Sequence, residues 1–157
     1  MRVHGALIGI VLVGLASCAT SFFPRQDAVF WARVPPGAAF ELRELTVSTR
    51  PTTGNPKQTA LDLAVVAARK AGVSLGAAGS AYGLTLSLDE REFGVELETY
   101  NSVSVVLKAW APGDPPRQVG QVVYAEETKK TLRSATYLAQ TLDVVFNQLA
   151  SRLKETR

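Results

Sequence analysis

The side chains best able to do chemistry in this sequence are carboxylates. Glu92, Glu96 and Glu98 lie in a stretch that alternates polar and apolar residues. On one face of a strand, carboxylates two residues apart stand about 7 Å from each other, within range of paired acid–base work. The same pattern also describes a solvated strand face whose charges discourage edge-to-edge association, and that is the expectation here. Asp89 and Glu90 could join them around calcium, but the alternating oxygen ligands of a calcium loop are missing. Lys129, Lys130 and Arg133 form a basic cluster that could meet anionic head groups. Glu126 and Glu127 sit beside it, so a self-paired, solvated loop is expected. Gly72, Gly76 and Gly79 lack the lysine and the preceding strand of a phosphate loop. Trp110 stands out of phase with the apolar set of its own segment. It either covers the second face of a sheet or presents an aromatic ring at an interface.

Composition removes whole classes of chemistry. The chain has 157 residues, one cysteine, Cys18, and one histidine, His4. If residues 1–17 are removed, Arg2 and His4 go with them, leaving 140 residues with 16 basic and 14 acidic side chains. That is enough chain for one domain with a core. It has no histidine, so zinc sites built on Cys or His, Ser-His-Asp triads and Cys-His pairs are excluded. A formal charge of +2 is too mild to argue for nucleic acid. No cofactor motif is visible.

The reason to separate residues 1–17 is their pattern. Arg2 precedes an unbroken apolar or glycine run, Ala6 to Leu15, that is ten residues long. Such a run fits the hydrophobic region of a signal peptide and falls short of the roughly 20 residues a spanning helix needs. It ends in Leu15-Ala16-Ser17-Cys18. These four residues resemble the lipobox of bacterial lipoprotein precursors. The resemblance implies a diacylglyceryl thioether on Cys18, cleavage before it, and acylation of the new amine. Ala19 in place of Asp implies, by similarity to the sorting rule of two-membrane bacteria, an outer-membrane destination facing the periplasm. In a one-membrane organism the protein would sit on the outer face of that membrane.

Residues 18–38 read as the lipidated N-terminus and tether, closing in Pro35-Pro36-Gly37, and residues 39–157 as the folded domain. The tether is unusually apolar. Phe22, Phe23, Val29, Phe30 and Trp31 suggest that Val29 to Val34 packs on the domain as an edge strand or arm, or else docks a partner. Phe40 to Ser48 reads as a strand, with a change of apolar phase that places a bulge near Arg43-Glu44. Asn55 and Pro56 open a helix, with Gln58 able to complete a capping box, and Gly72 closes it. Leu84, Leu86 and Leu88 alternate with polar residues. Phe93, Val95 and Leu97 continue with reversed parity, so a bulge or turn is expected within 89–92. Val103 to Trp110 and Val119 to Ala125 complete a meander around the turn at Pro112 to Pro116. Ser134 caps a final helix whose apolar set is Leu138, Leu142, Val145, Phe146, Leu149 and Leu153.

The expected fold is α+β, a mainly antiparallel sheet of about four strands with two helices on one face, in the order βαβββα. In architecture this is similar to small envelope lipoproteins such as the lipopolysaccharide-assembly lipoprotein family and the auxiliary lipoproteins of ABC transporters. Ala81-Tyr82-Gly83-Leu84 opening a strand belongs to that similarity, which transfers no functional residue. It implies a non-enzymatic accessory subunit, held to a membrane by its lipid and binding an envelope protein. Trp110, Lys108, Glu96, Phe30 and Trp31 are the candidate contact residues. The rival reading is a carboxylate-dependent hydrolase acting on envelope material, which requires a concave site with converging carboxylates. Replacing Cys18 by Ala is expected to leave an uncleaved precursor without acyl chains, checked by mass analysis of the membrane fraction.

Overall fold

Seven elements follow one another in the computed structural model, which describes residues 24–49, 54–76, 78–95 and 97–155. They are β1 (Arg25–Phe30), β2 (Phe40–Ser48), α1 (Pro56–Ala71), β3 (Tyr82–Val95), β4 (Glu98–Ala111), β5 (Arg117–Thr128) and α2 (Ala135–Glu155). The strands form one sheet in the order β1-β5-β4-β3-β2. Every pairing is antiparallel except β2 with β3, which the α1 crossover makes parallel. The architecture is α+β with two helices, and it has five strands where about four are expected.

The fifth strand comes from the apolar tether. β1 pairs with β5 from Arg25↔Ala125 to Phe30↔Gly120. The edge strand expected at Val29 to Val34 therefore lies a few residues earlier. Val34, just beyond it, is 2% exposed and belongs to the core. Residues 25–30, expected in the tether, are thus part of the sheet, and Val34 is part of the core. Phe30 lies so close over Gly120 that a Cβ at that position would fall 2.5 Å from its ring. The glycine lets β1 bring an aromatic ring down onto the β5 backbone.

Helix α1 forms where its end signals stand. The Asn55 side chain accepts from the Gln58 N–H at 3.2 Å, Pro56 occupies the first turn, and Gly72 ends the helix in the left-handed region at φ 75°. Gln58 does not close a capping box; its amide donates to Asp62 at 2.8 Å. The helix buries only alanines, Ala60, Ala64, Ala67 and Ala68. Their small side chains bring its axis close to its neighbours, and Lys70 reaches Asp143 of α2 at 3.1 Å. In α2, Ser134 caps the start and Leu138, Leu142, Val145, Phe146 and Leu149 are buried. They join Leu84, Leu86 and Leu88 of β3, Val103, Val105 and Leu107 of β4, and Val122 and Tyr124 of β5 in one core.

The bulge falls where the phase change places it, between Leu42 and Glu44. The break expected within 89–92 is absent. β3 runs unbroken to Val95, in continuous register with β4 from Gly83↔Trp110 to Val95↔Glu98. The inward set Leu84, Leu86, Leu88 continues into Glu90, which is 8% exposed. Phe93 and Val95 belong to the other face. The parity of the apolar residues reverses because the strand outruns the helices that cover its inner face.

Leu142→Ala is expected to lower unfolding free energy by about 2–5 kcal/mol, because a fully buried leucine loses both its transfer energy and its packing. Gln140→Ala, on the exposed side of α2, is expected to cost less than about 0.5 kcal/mol. Denaturant unfolding of the two variants checks the orientation of the helix.

Candidate functional site

Both helices pack on one face of the sheet, so the other face meets solvent. Its side chains run in register rows across the strands. One row is Thr85, Lys108, Gln121 and Val29. The next is Ser87, Val106, Val123 and Asp27, and beyond it Asp89, Ser104, Ala125 and Arg25. Trp110 and Lys108 stand two residues apart on this face, both half-buried. The Trp110 Nε1–H donates to Thr85 Oγ1 at 3.3 Å, which fixes the ring against the sheet. Next to Trp110 in register is Gly83, and the Arg43 side chain lies across it, only 2.5 Å from where a Cβ would be. Arg43 donates to the Ala81 carbonyl at 3.2 Å and faces Glu41 at 3.9 Å. The bulge aims Arg43 at this spot, a placement that sequence periodicity alone does not reveal.

The candidate contact residues do not converge. Trp110 and Lys108 share the helix-free face. Phe30 is on the helix side, half-buried over Gly120. Trp31 follows β1, 58% exposed, its N–H donating to the Val119 carbonyl at 2.9 Å. Glu96 and Cys18 lie outside the described residues. Glu92 and Glu98 do not share one strand face: they stand on opposite arms of the β3–β4 hairpin, in different register rows.

The carboxylates are engaged with the protein itself. Glu98 pairs with Lys129 at 2.8 Å and accepts from the Tyr100 hydroxyl. The Lys129 hydrogen bond, followed by that of Tyr100, lowers the Glu98 carboxyl below its usual value. Lys129 also lies 5.3 Å from the centre of the Tyr100 ring, and Lys130 the same distance from that of Tyr137. Glu90, with a side chain 3% exposed, accepts from Thr131 Oγ1 at 2.9 Å and from the Leu132 N–H, with the Arg133 Nε 3.9 Å away. The basic cluster does not pair with its neighbours Glu126 and Glu127 as expected: Lys129 pairs with Glu98 of β4 and Arg133 faces Glu90 of β3, so the loop is stapled to the hairpin. Glu126 accepts from the hydroxyls of Tyr124 and Tyr137. A cleft of about 140 Å³ opens at the N-terminal ends of the helices, lined by Val47, Asn55, Thr59, Leu88, Arg133 and Leu138 among others, none of them acidic. Among the described residues no group of three or more His, Cys, Asp or Glu could hold a metal ion. No helix of the described residues is long and apolar enough to cross a membrane.

No protein-family model and no curated protein sequence matches the chain. Solved structures do. The dodecameric PelC of Paraburkholderia phytofirmans superposes with a TM-score of 0.55 at 12% identity, over 82% of this chain and 98% of that one. A PDZ domain protein from Parabacteroides distasonis gives 0.48 at 11% identity, over 81% of this chain and 36% of that one. A minor lipoprotein from Acinetobacter baumannii gives 0.30 at 14% identity, over 75% and 91%. At these identities the PelC likeness speaks to the fold alone, and the other two superpose too loosely to bear on it.

Burial, and then the hydrogen bond to Glu126, pushes the Tyr124 phenol from 10.0 up to about 12; Tyr137 is raised by the same two causes. A raised phenol pKa means that the folded state favours the protonated form. Its contribution to stability is whole below about pH 10 and is lost as pH climbs from about 10 through about 12. Denaturant midpoints followed across that window are expected to fall, and Tyr124→Phe to flatten the fall.

Proposed function

We propose that this chain is an envelope lipoprotein, anchored by acyl chains on Cys18, that works as a non-enzymatic accessory subunit. Its helix-free sheet face docks a protein partner. The observation that carries this reading is that face: a broad surface on which Trp110, half-buried, is hydrogen-bonded to Thr85 with Lys108 beside it. An anchored tryptophan amid mixed apolar and polar rows is what contact surfaces present at their centre, with a cation such as Lys108 suited to the polar rim. Two acyl chains give stable attachment, each buried methylene adding about 0.8 kcal/mol, so the domain needs no spanning segment of its own. An outer-membrane site facing the periplasm, and a task in lipid or lipopolysaccharide traffic, are the finer form of the proposal.

The carboxylate hydrolase is the weaker reading. Glu90 and Glu126 flank Val103 in register on the inner face and come nearest to a pair. Each is already occupied by protein donors, and both serve to fasten α2 and the loop before it. A general base needs a lone pair open to substrate.

A photo-reactive residue replacing Lys108 in intact cells is expected to yield a discrete cross-linked product, and the same residue at Gln140, on α2, to yield none. A product of twice the chain mass would assign the face to a second copy, the arrangement suggested by the dodecameric fold neighbour. Lys108→Glu is expected to reduce capture severalfold and leave the melting temperature within about 2 °C of the parent. Equal labelling at both positions would overturn the assignment of the face.

A further inference from the structure

The sheet ends in two edges that are built differently. At β2 the outer edge is already occupied at its start, where Leu75 bridges Phe40, and the bulge after Leu42 interrupts it. Such devices discourage a further strand. The β1 edge has neither. The Trp31 N–H donates to the Val119 carbonyl at the end of the β1–β5 ladder. Alternation therefore turns the N–H and C=O of Gln26 and Ala28 outward, away from β5. No described strand pairs with that side of β1.

The side chains along this edge match an inverted copy of themselves. Arg25 and Asp27 are exposed on the helix-free face, and neither has an ion-pair partner among the described residues. When two β1 strands lie antiparallel with Gln26 opposite Gln26, Arg25 of each copy falls across from Asp27 of the other. The charges then alternate in sign around the axis, each facing its opposite across the strands. Centring the pairing on Asp27 sets like charges face to face. Centring it on Ala28 leaves both charges without a counter-ion opposite. The backbone agrees with the Gln26 register: Gln26 exchanges both of its bonds with its counterpart, and the Ala28 N–H meets the Pro24 carbonyl. Pro24 has no N–H to offer, so the ladder ends there.

On the helix side an unfinished contact lies beside the same residue. Gln148 of α2 donates from Nε2 to Gln26 Oε1, while its own Oε1 is buried with no hydrogen-bond partner. A buried acceptor without a donor is costly. A groove of about 240 Å³ opens there between β1 and α2, lined by Gln26, Ala28, Gln148 and Ser151 among others.

We propose that β1 is an interface with a second copy of this chain. Two β1 edges pair antiparallel about a two-fold axis at Gln26 and join two five-stranded sheets into one. Ion pairs between Arg25 and Asp27 set the register on the helix-free side. On the other side, the Gln26 amide of one copy enters the groove of its mate and supplies the donor that Gln148 lacks. Both helix-free faces then lie on the same side of the joined sheet, which doubles the surface assigned to a partner above. The proposal stands on the edge alone and needs neither the lipid anchor nor that partner.

The test uses the full chain in a non-ionic detergent, with micelles in large excess over protein and mass followed by sedimentation equilibrium. The parent is expected to form a dimer. Arg25→Asp gathers acidic groups from both copies at the axis, and Asp27→Arg gathers basic ones. Each is expected to raise the dissociation constant about tenfold or more. The double variant restores alternating signs and is expected to return within about threefold of the parent. Melting temperatures are expected to stay within about 2 °C throughout, because both side chains are exposed. A parent that stays monomeric at concentrations on the order of 100 μM would overturn the proposal. So would a dimer indifferent to the single changes, or a double variant no tighter than the singles. Lys108→Glu is expected to leave the dimer intact; a dimer lost with Lys108→Glu and kept with Arg25→Asp would place the contact on the helix-free face and overturn the edge pairing.

Discussion

Everything in this fold depends on α2 lying across the inner faces of β5, β4 and β1. Phe146, Leu142 and Val145 are fully buried there, together with Leu84, Leu86, Leu107 and Val105. Apolar area removed from water is the main favourable term in folding, and here it is concentrated on one side of one sheet. The parallel β2–β3 pairing then brings α1 back on that same side, where its alanines let it sit beside α2. With both helices spent on one face, the opposite face must be built of residues that tolerate water. It is: threonine, serine, glutamine, lysine and scattered valines.

Polar groups do the fastening at the edges of this core. Glu90 extends the inward row of β3 leucines and would be costly there without donors. Thr131 and the Leu132 N–H supply them, and in doing so tie the loop before α2 to the sheet. Glu126 does the same for Tyr137 of α2 and Tyr124 of β5. Burial and these hydrogen bonds raise both phenols, so the same contacts that hold the helix also make its hold sensitive to alkali. Of the carboxylates that the sequence offers, Glu90 and Glu126 close the edge of the core, whereas Glu92 and Glu98 stay exposed on the hairpin.

The uncovered features are arranged with equal economy. The hairpin overhang, the entry of the chain at Arg25 and the N-terminal ends of both helices all lie at one end of the sheet. Trp110 and Lys108 lie on the helix-free face near the other end of β4.

Local signals legible in the sequence were those whose cause is local. The cap of α1 at Asn55 and its stop at Gly72, the bulge after Leu42, the Ser134 cap and the buried stripe of α2 each follow from backbone propensity or periodicity within a few residues. The single cysteine and the absence of histidine after residue 17 likewise restrict chemistry without any fold. Only the tertiary structure decided where those elements stop serving the core. β1 is a strand because β5 offers an open edge and Gly120 a gap for Phe30, facts about partners more than 80 residues away. The reversed parity after Asp89 reads as a break in one dimension; in three it is a strand passing out from under its helices. The phase of Trp110 set it on the face opposite the buried row, but only the pairing with Gly83 and the bond to Thr85 gave it neighbours, and nothing local marks Glu90 as buried under Thr131. In each case the residue is fixed by what packs on it, and that partner is distant in sequence and invisible to any local pattern.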